Sequence, residues 1–275
     1  MSVTSDGMLQ VPGAQLFYKV RGSGPLLLII QGGDGDADGM TGLVDLLVEH
    51  FTVVTYDPRG LSRSKLEAPP ENLRLETHAD DAHRLLSALS TTPALVFGSS
   101  RGALVALELV ARHGAQVRTL VAHEPPAAQF LPEADRERAA REQQEIEETY
   151  RREGVMAAMR KFAVMAGMDF RDREPGVELP RPNPGRVANL EFFLKHDAPA
   201  VRLHRLDVDA LLAAPTRILL GVGQNSGPFL AHQCAQALAV RLGTPAVEFP
   251  GAHSGFITHP RAFAAKLREI FGVSG

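Results

Sequence analysis

A single cysteine, Cys234, rules out an internal disulfide, and no Cys/His cluster has zinc-ligand spacing. Long hydrophobic runs are also missing. PLLLII at 25–30 is far too short to span a bilayer, and MSVTSDG lacks the basic n-region of a signal peptide. The expectation is a cytoplasmic protein with no membrane partner. A formal charge of −3 leaves no basic surplus to neutralise a phosphate backbone, and no run of Lys and Arg is interleaved with aromatics. Nucleic acid is therefore not an expected partner. What remains is ordinary: 275 residues, 44% hydrophobic and 22% charged, can bury a large core. Cys234 reads as a buried helix residue rather than a nucleophile.

MLQV and QLFYKV flank Pro12-Gly13 and predict an N-terminal hairpin. Apolar runs then alternate with helical patterns. LLLII precedes a helix near 40–49, FTVVTY one near 74–89, and ALVFG one near 100–113. VRTLVAH follows, and after a different segment come RILLGV, a helix near 229–241, AVEFP and a helix near 259–271. Continuous apolar strands separated by helices predict an α/β fold: a mostly parallel, eight-stranded-type sheet with helices on both faces.

The rhythm changes at 127–209. Residues 132–153 are strongly charged, which reads as a solvated helix face. VMAAMRKFAVMAGM, a loop rich in Pro and Arg (REPGVELPRPNPGR) and NLEFFLKH follow. The reading is a helical insertion at 127–209 lying over a core made of 1–126 and 210–275.

At 94–107, ALVFGSSRGALVAL is an apolar strand, then Gly98-Ser99-Ser100-Arg101-Gly102, then a small-residue helix. G-x-S-x-G in this context places Ser100 on a tight strand-to-helix turn. The helix N-terminus favours developing negative charge. The bland alternative is a serine that only caps a helix.

On these residues, with YDPRGLSRS at 56–64, the HEPP stretch and GAHSGF near the C-terminus, nearly the whole chain resembles the α/β-hydrolase superfamily. The resemblance implies the α/β-hydrolase fold with a helical cap, Ser100 as nucleophile, and a histidine after the last strand as its base. AVEFP-Gly251-Ala252-His253 supplies His253. His259 reads as the start of the final helix, and His123 stands too near the strand after the elbow helix. The oxyanion hole implied by the family uses the backbone N–H of Arg101 and of Gly33 in the loop after LLLII. Gln31 stands where many members have histidine.

The resemblance also implies an acid after RILLGV, but the register gives Gly221, Gln224 and Pro228, so the acid position holds an amide. Neither Asn225 nor Ser226 supplies a carboxylate. Glu124, in VAHEPP, is the candidate replacement, since some members carry the acid after that strand; alternatively it anchors the chain before Pro125 and Pro126.

The reading is a serine hydrolase of a small-molecule ester, lactone or thioester, with no cofactor and no metal, as a monomer or a homodimer. Gln31, Phe192, Phe193, Met156, Met159 and Met165 are candidate pocket lining, although such residues at helical spacing are also core. Because Gln224 is not an acid, a cyclase, epimerase, lyase or perhydrolase stays open, as does a ligand-binding protein without catalysis. QGGDGDADG at 31–39 adds a weak calcium reading, but a strand precedes it and Gly42 offers no side-chain ligand. Asp34, Asp36 and Asp38 are expected to face outward, since carboxylates beside an oxyanion hole would oppose its charge.

Overall fold

A computed structural model describes residues 3–179 and 184–273. Residues 180–183, in the Pro- and Arg-rich loop, lie outside it. Strands β1 (Val3–Val11) and β2 (Ala14–Gly22) form the N-terminal hairpin, longer than the pattern predicts. Then come β3 (Leu26–Ile30), α1 (Thr41–Leu47), β4 (Thr52–Tyr56), β5 (Lys65–Leu66), α2 (Leu75–Leu89), β6 (Ala94–Ser99), α3 (Arg101–His113) and β7 (Val117–His123). The segment between β7 and the next strand is helical: α4 (Glu133–Glu153), α5 (Val155–Met165), α6 (Pro184–Phe192), a π-helical turn at Phe193–Asp197, α7 (Ala198–Leu203) and α8 (Val208–Ala213). The chain closes with β8 (Arg217–Gly223), α9 (Leu230–Arg241), β9 (Val247–Phe249), α10 (Gly255–Thr258) and α11 (Pro260–Phe271).

The sheet order is β1-β2-β4-β3-β6-β7-β8-β9, with β5 paired to β2. Pairs from β4 onward are parallel, and only the N-terminal strands and β5 pair antiparallel. Alternation along the strands splits the core in two. Leu28, Ile30, Val54 and Val96 pack with residues of α2 and α3, while Leu27, Ile29, Val53 and Phe97 pack with residues of α1 and α11. This is why LLLII reads as continuously apolar: both faces of β3 are covered.

The helices of the α4–α7 segment have a small core of their own, centred on Ile146, Ala158, Phe193 and Leu194. Only Ala139, Ile146 and Thr149 of α4 are buried, which agrees with a solvated charged helix. Among the described residues no helix is long and apolar enough to cross a membrane. Cys234 is buried in α9, and burial pushes its thiol pKa up to about 12, so it stays protonated at neutral pH.

Candidate active site

Ser100 sits between β6 and α3 with φ 53° and ψ −121°, outside the regions that L-residues favour. Its neighbours hold it there. A Cβ on Gly102 would lie 2.1 Å from the Ile30 carbonyl oxygen, and one on Gly98 would lie 2.5 Å from the Gly102 oxygen. The two glycines thus let helix and strands approach until the serine is forced into a sharp turn. The Ser100 N–H donates to the His123 carbonyl at 2.9 Å and fixes the turn to β7.

Glu124 follows β7, has a φ of 48°, and is fully buried. The positive φ turns its side chain toward the loop after β9. There Glu124 Oε2 lies 2.6 Å from His253 Nδ1. The other oxygen, Oε1, accepts from the Gly223 N–H at 2.8 Å and from Ser226 Oγ in a short contact. Ser226 Oγ is in turn 3.1 Å from His232 Nδ1. Burial alone would raise the Glu124 pKa, but the facing His232 and His253 imidazoles outweigh it and hold the carboxyl well below the usual range. His232 Nδ1 itself stands 3.7 Å from Glu124 Oε1.

With Nδ1 occupied by the carboxylate, His253 has Nε2 for the serine side. Ser100 and His253 border one cavity. No hydrogen bond joins them among the described residues.

The loop after β3 packs against Ser100: a Cβ on Gly32 would come within 3.0 Å of Ser100 Cβ. Gly33 has φ 49°, a left-handed turn that glycine adopts at little cost. Among the described residues, the N–H groups of Gly33 and Arg101 donate to no protein acceptor. YDPRGLSRS braces this loop from below. Asp57 accepts from the Ala37 N–H at 2.8 Å while clamping the Arg63 guanidinium.

Of the aspartates, Asp38 is exposed as expected, whereas Asp34 and Asp36 are partly buried. Asp34 is ion-paired with Arg186 at 2.8 Å, Asp36 accepts from Ser62 Oγ at 2.7 Å, and Asp38 meets Lys19 and Arg63. They do not simply face solvent. Protein cations and a hydroxyl engage them, which offsets their charge near the Gly33 loop. Asp45, the last residue of the calcium pattern, pairs with Arg21.

The cavity is lined largely by the helical segment, with Ile146, Phe162, Met165, Phe193 and Leu194 over Ser100 and His253. Four of the sequence candidates fall elsewhere. Met156 is 57% exposed, because Ala158, Phe162 and Met165 share the inward stripe of α5 and Met156 lies off it. Phe192 packs over Gly60 and against the His196 ring, since adjacent helical residues cannot face one side. Gln31 is buried against Gly35 under the loop, outside the cavity lining. Met159 belongs to the small core of the segment.

The remaining histidines separate clearly. His123 is buried among the rings of Phe249, Phe256 and Phe263, and His259 opens α11. Gln224, the usual acid position, is exposed. Sequence reasoning missed Ser226, His232, His78 and Asp197. Asp197, fully buried in the π-helical turn, receives His78 at 3.0 Å and lies 3.1 Å from Arg101 Nη1. Ser226 carries a faint signal, standing two residues after the vacant acid position; Asp197 carries none, because its partners are about 100 residues away in sequence.

A family model described as the α/β-hydrolase fold matches residues 25–197. A protein of Bacillus subtilis (strain 168), named the uncharacterized hydrolase YraK, is 37% identical over 270 residues, covering 97% of this chain and 96% of its own. A zearalenone hydrolase of Cladophialophora bantiana is 26% identical and covers 95% of this chain and 94% of its own. The solved enol-lactonase from Burkholderia xenovorans LB400 has a TM-score of 0.72 at 20% identity, covering 97% of this chain and 100% of its own, a likeness of fold.

Proposed function

The chain belongs to the α/β-hydrolase fold family and is a hydrolase, and from that premise we propose that it cleaves a small-molecule carboxylic ester, lactone or thioester through Ser100. The observation that carries this reading is the 2.6 Å contact between Glu124 Oε2 and His253 Nδ1. It gives the chain a carboxylate where Gln224 has none, and with it the motive for a non-hydrolytic reading falls away.

Ser100 Oγ attacks the carbonyl carbon while His253 Nε2 takes its proton. Glu124 holds the tautomer with the proton on Nδ1 and stabilises the imidazolium that forms. The tetrahedral oxyanion faces the N–H groups of Gly33 and Arg101 at the N-terminus of α3. His253 then returns the proton to the leaving oxygen or sulfur, and water, activated by the same histidine, releases the acid. The helices at 127–209 act as a cap that supplies the pocket walls. The names of the relatives, hydrolases of small molecules among them, support the reaction class.

A fluorophosphonate probe tests this. The expected result is a mass increment on the peptide carrying Ser100, absent in Ser100→Ala. Glu124→Gln should lower ester turnover by roughly ten-thousandfold, as amide replacement does in a serine protease triad. No adduct at any pH, or Glu124→Gln with full turnover, would sink the proposal.

A further inference from the structure

Arg101 follows the nucleophile, and its backbone and side chain serve different ends. The side chain is 3% exposed, and the residue borders the cavity that holds Ser100 and His253. Its Nη1 lies 3.1 Å from Asp197 Oδ2, whereas Nε and Nη2 have no hydrogen-bond partner among the described residues. A guanidinium carries five N–H donors, and buried donors without acceptors are rare because leaving them unpaired is costly. Asp197 Oδ2, beside Nη1, also lacks a hydrogen-bond partner among the described residues, whereas the other carboxylate oxygens are committed. Asp197 Oδ1 is taken by His78 Nε2 at 3.0 Å. Asp81 is clamped by Arg59 at 2.6 and 2.7 Å.

Charge decides which acceptor the free donors can meet. Burial works to raise the Asp197 pKa, but Arg101 and His78 outweigh it and hold the carboxyl below the usual range, so Asp197 already balances the guanidinium. A substrate carboxylate would enter beside a second buried carboxylate and leave net negative charge out of water. A neutral carbonyl oxygen satisfies the donors and adds no charge.

We propose that Arg101 is a specificity-determining residue whose unpaired N–H groups receive an uncharged second carbonyl oxygen close to the scissile bond, so that the preferred substrates are oxo-substituted esters or lactones. This rests on the serine-hydrolase reading.

Four esters test it by acid release in a pH-stat. Ethyl pentanoate has no second carbonyl, ethyl 4-oxopentanoate has one in the acyl chain, acetonyl pentanoate has one in the leaving group, and monoethyl succinate carries a carboxylate. Wild type should show kcat/KM about tenfold higher on one of the two oxo esters than on ethyl pentanoate or monoethyl succinate, the scale of one hydrogen bond to a charged group. In Arg101→Met that ratio should fall to about one, whatever happens to the absolute rates. Asp197→Asn removes the balancing charge and should shift preference toward monoethyl succinate by about tenfold; it also keeps the test open if Arg101→Met does not fold. A flat wild-type profile, a wild-type preference for the succinate, or an oxo preference that survives Arg101→Met overturns the proposal. Absence of Ser100-dependent turnover on all four esters would remove the serine-hydrolase reading, and this one with it, whereas turnover with a flat profile removes this one alone.

Discussion

His123 shows how one side chain couples stability to pH. It is wholly buried at the end of β7 among three phenylalanine rings, and burial pushes its imidazole pKa down to about 4 from 6.5. The folded protein therefore refuses a proton that the unfolded chain accepts below about pH 6.5. Stability is full above that pH and falls as pH drops toward 4, by about 2 kcal/mol between pH 7 and pH 5. Urea unfolding at the two pH values should show this loss, and His123→Leu should remove most of it. A wild-type curve flat over that window would refute the assignment. Ser100 and Glu124 share another residue-scale feature: both are non-glycine residues with positive φ. Such strain persists only where the surroundings impose it, and it clusters at functional sites. For Ser100 it is legible in sequence, because Gly98 and Gly102 announce the turn. Nothing in VAHEPP announces it for Glu124.

The loop between β8 and α9 has exchanged one task for another. Its usual acid position holds Gln224, which is exposed, yet the same loop presents the Gly223 N–H and Ser226 Oγ to Glu124 Oε1. In the triad proposed above, Ser226 is a positioning residue that acts through Glu124. Ser226→Ala should lower kcat by about tenfold with little change in KM, the scale of one charge-assisted hydrogen bond. Gln224→Ala should leave both parameters unchanged. Equal effects of the two variants, measured with one ester, would remove the distinction. The sequence pattern could show that the acid was missing but not that its loop still served the carboxylate, because the contact joins positions 99 and 102 residues apart.

At the scale of the molecule, polar ties fasten the helical segment to the core. Asn189 on α6 accepts from the Ser62 N–H at 2.9 Å and donates to Ser62 Oγ at 2.8 Å and to the Asp34 carbonyl at 3.2 Å. The segment's own core is small, so these bonds matter to its seating. Asn189→Ala should speed amide hydrogen exchange across α6 and α7 while β6 and β7 keep their protection; unchanged exchange in α6 would contradict the role. The fold itself was open to reading from local pattern alone. Alternating apolar strands and helices, the glycines around Ser100, and the histidine after β9 are short-range signals set by sterics and burial. The sequence by itself determined the α/β sheet, the serine turn and the place of His253 in the chain. Only the tertiary structure decided that Glu124 meets His253, that Met156 turns outward, and that Arg101 lies against Asp197, because each depends on which distant backbones the parallel crossovers bring within a few ångströms.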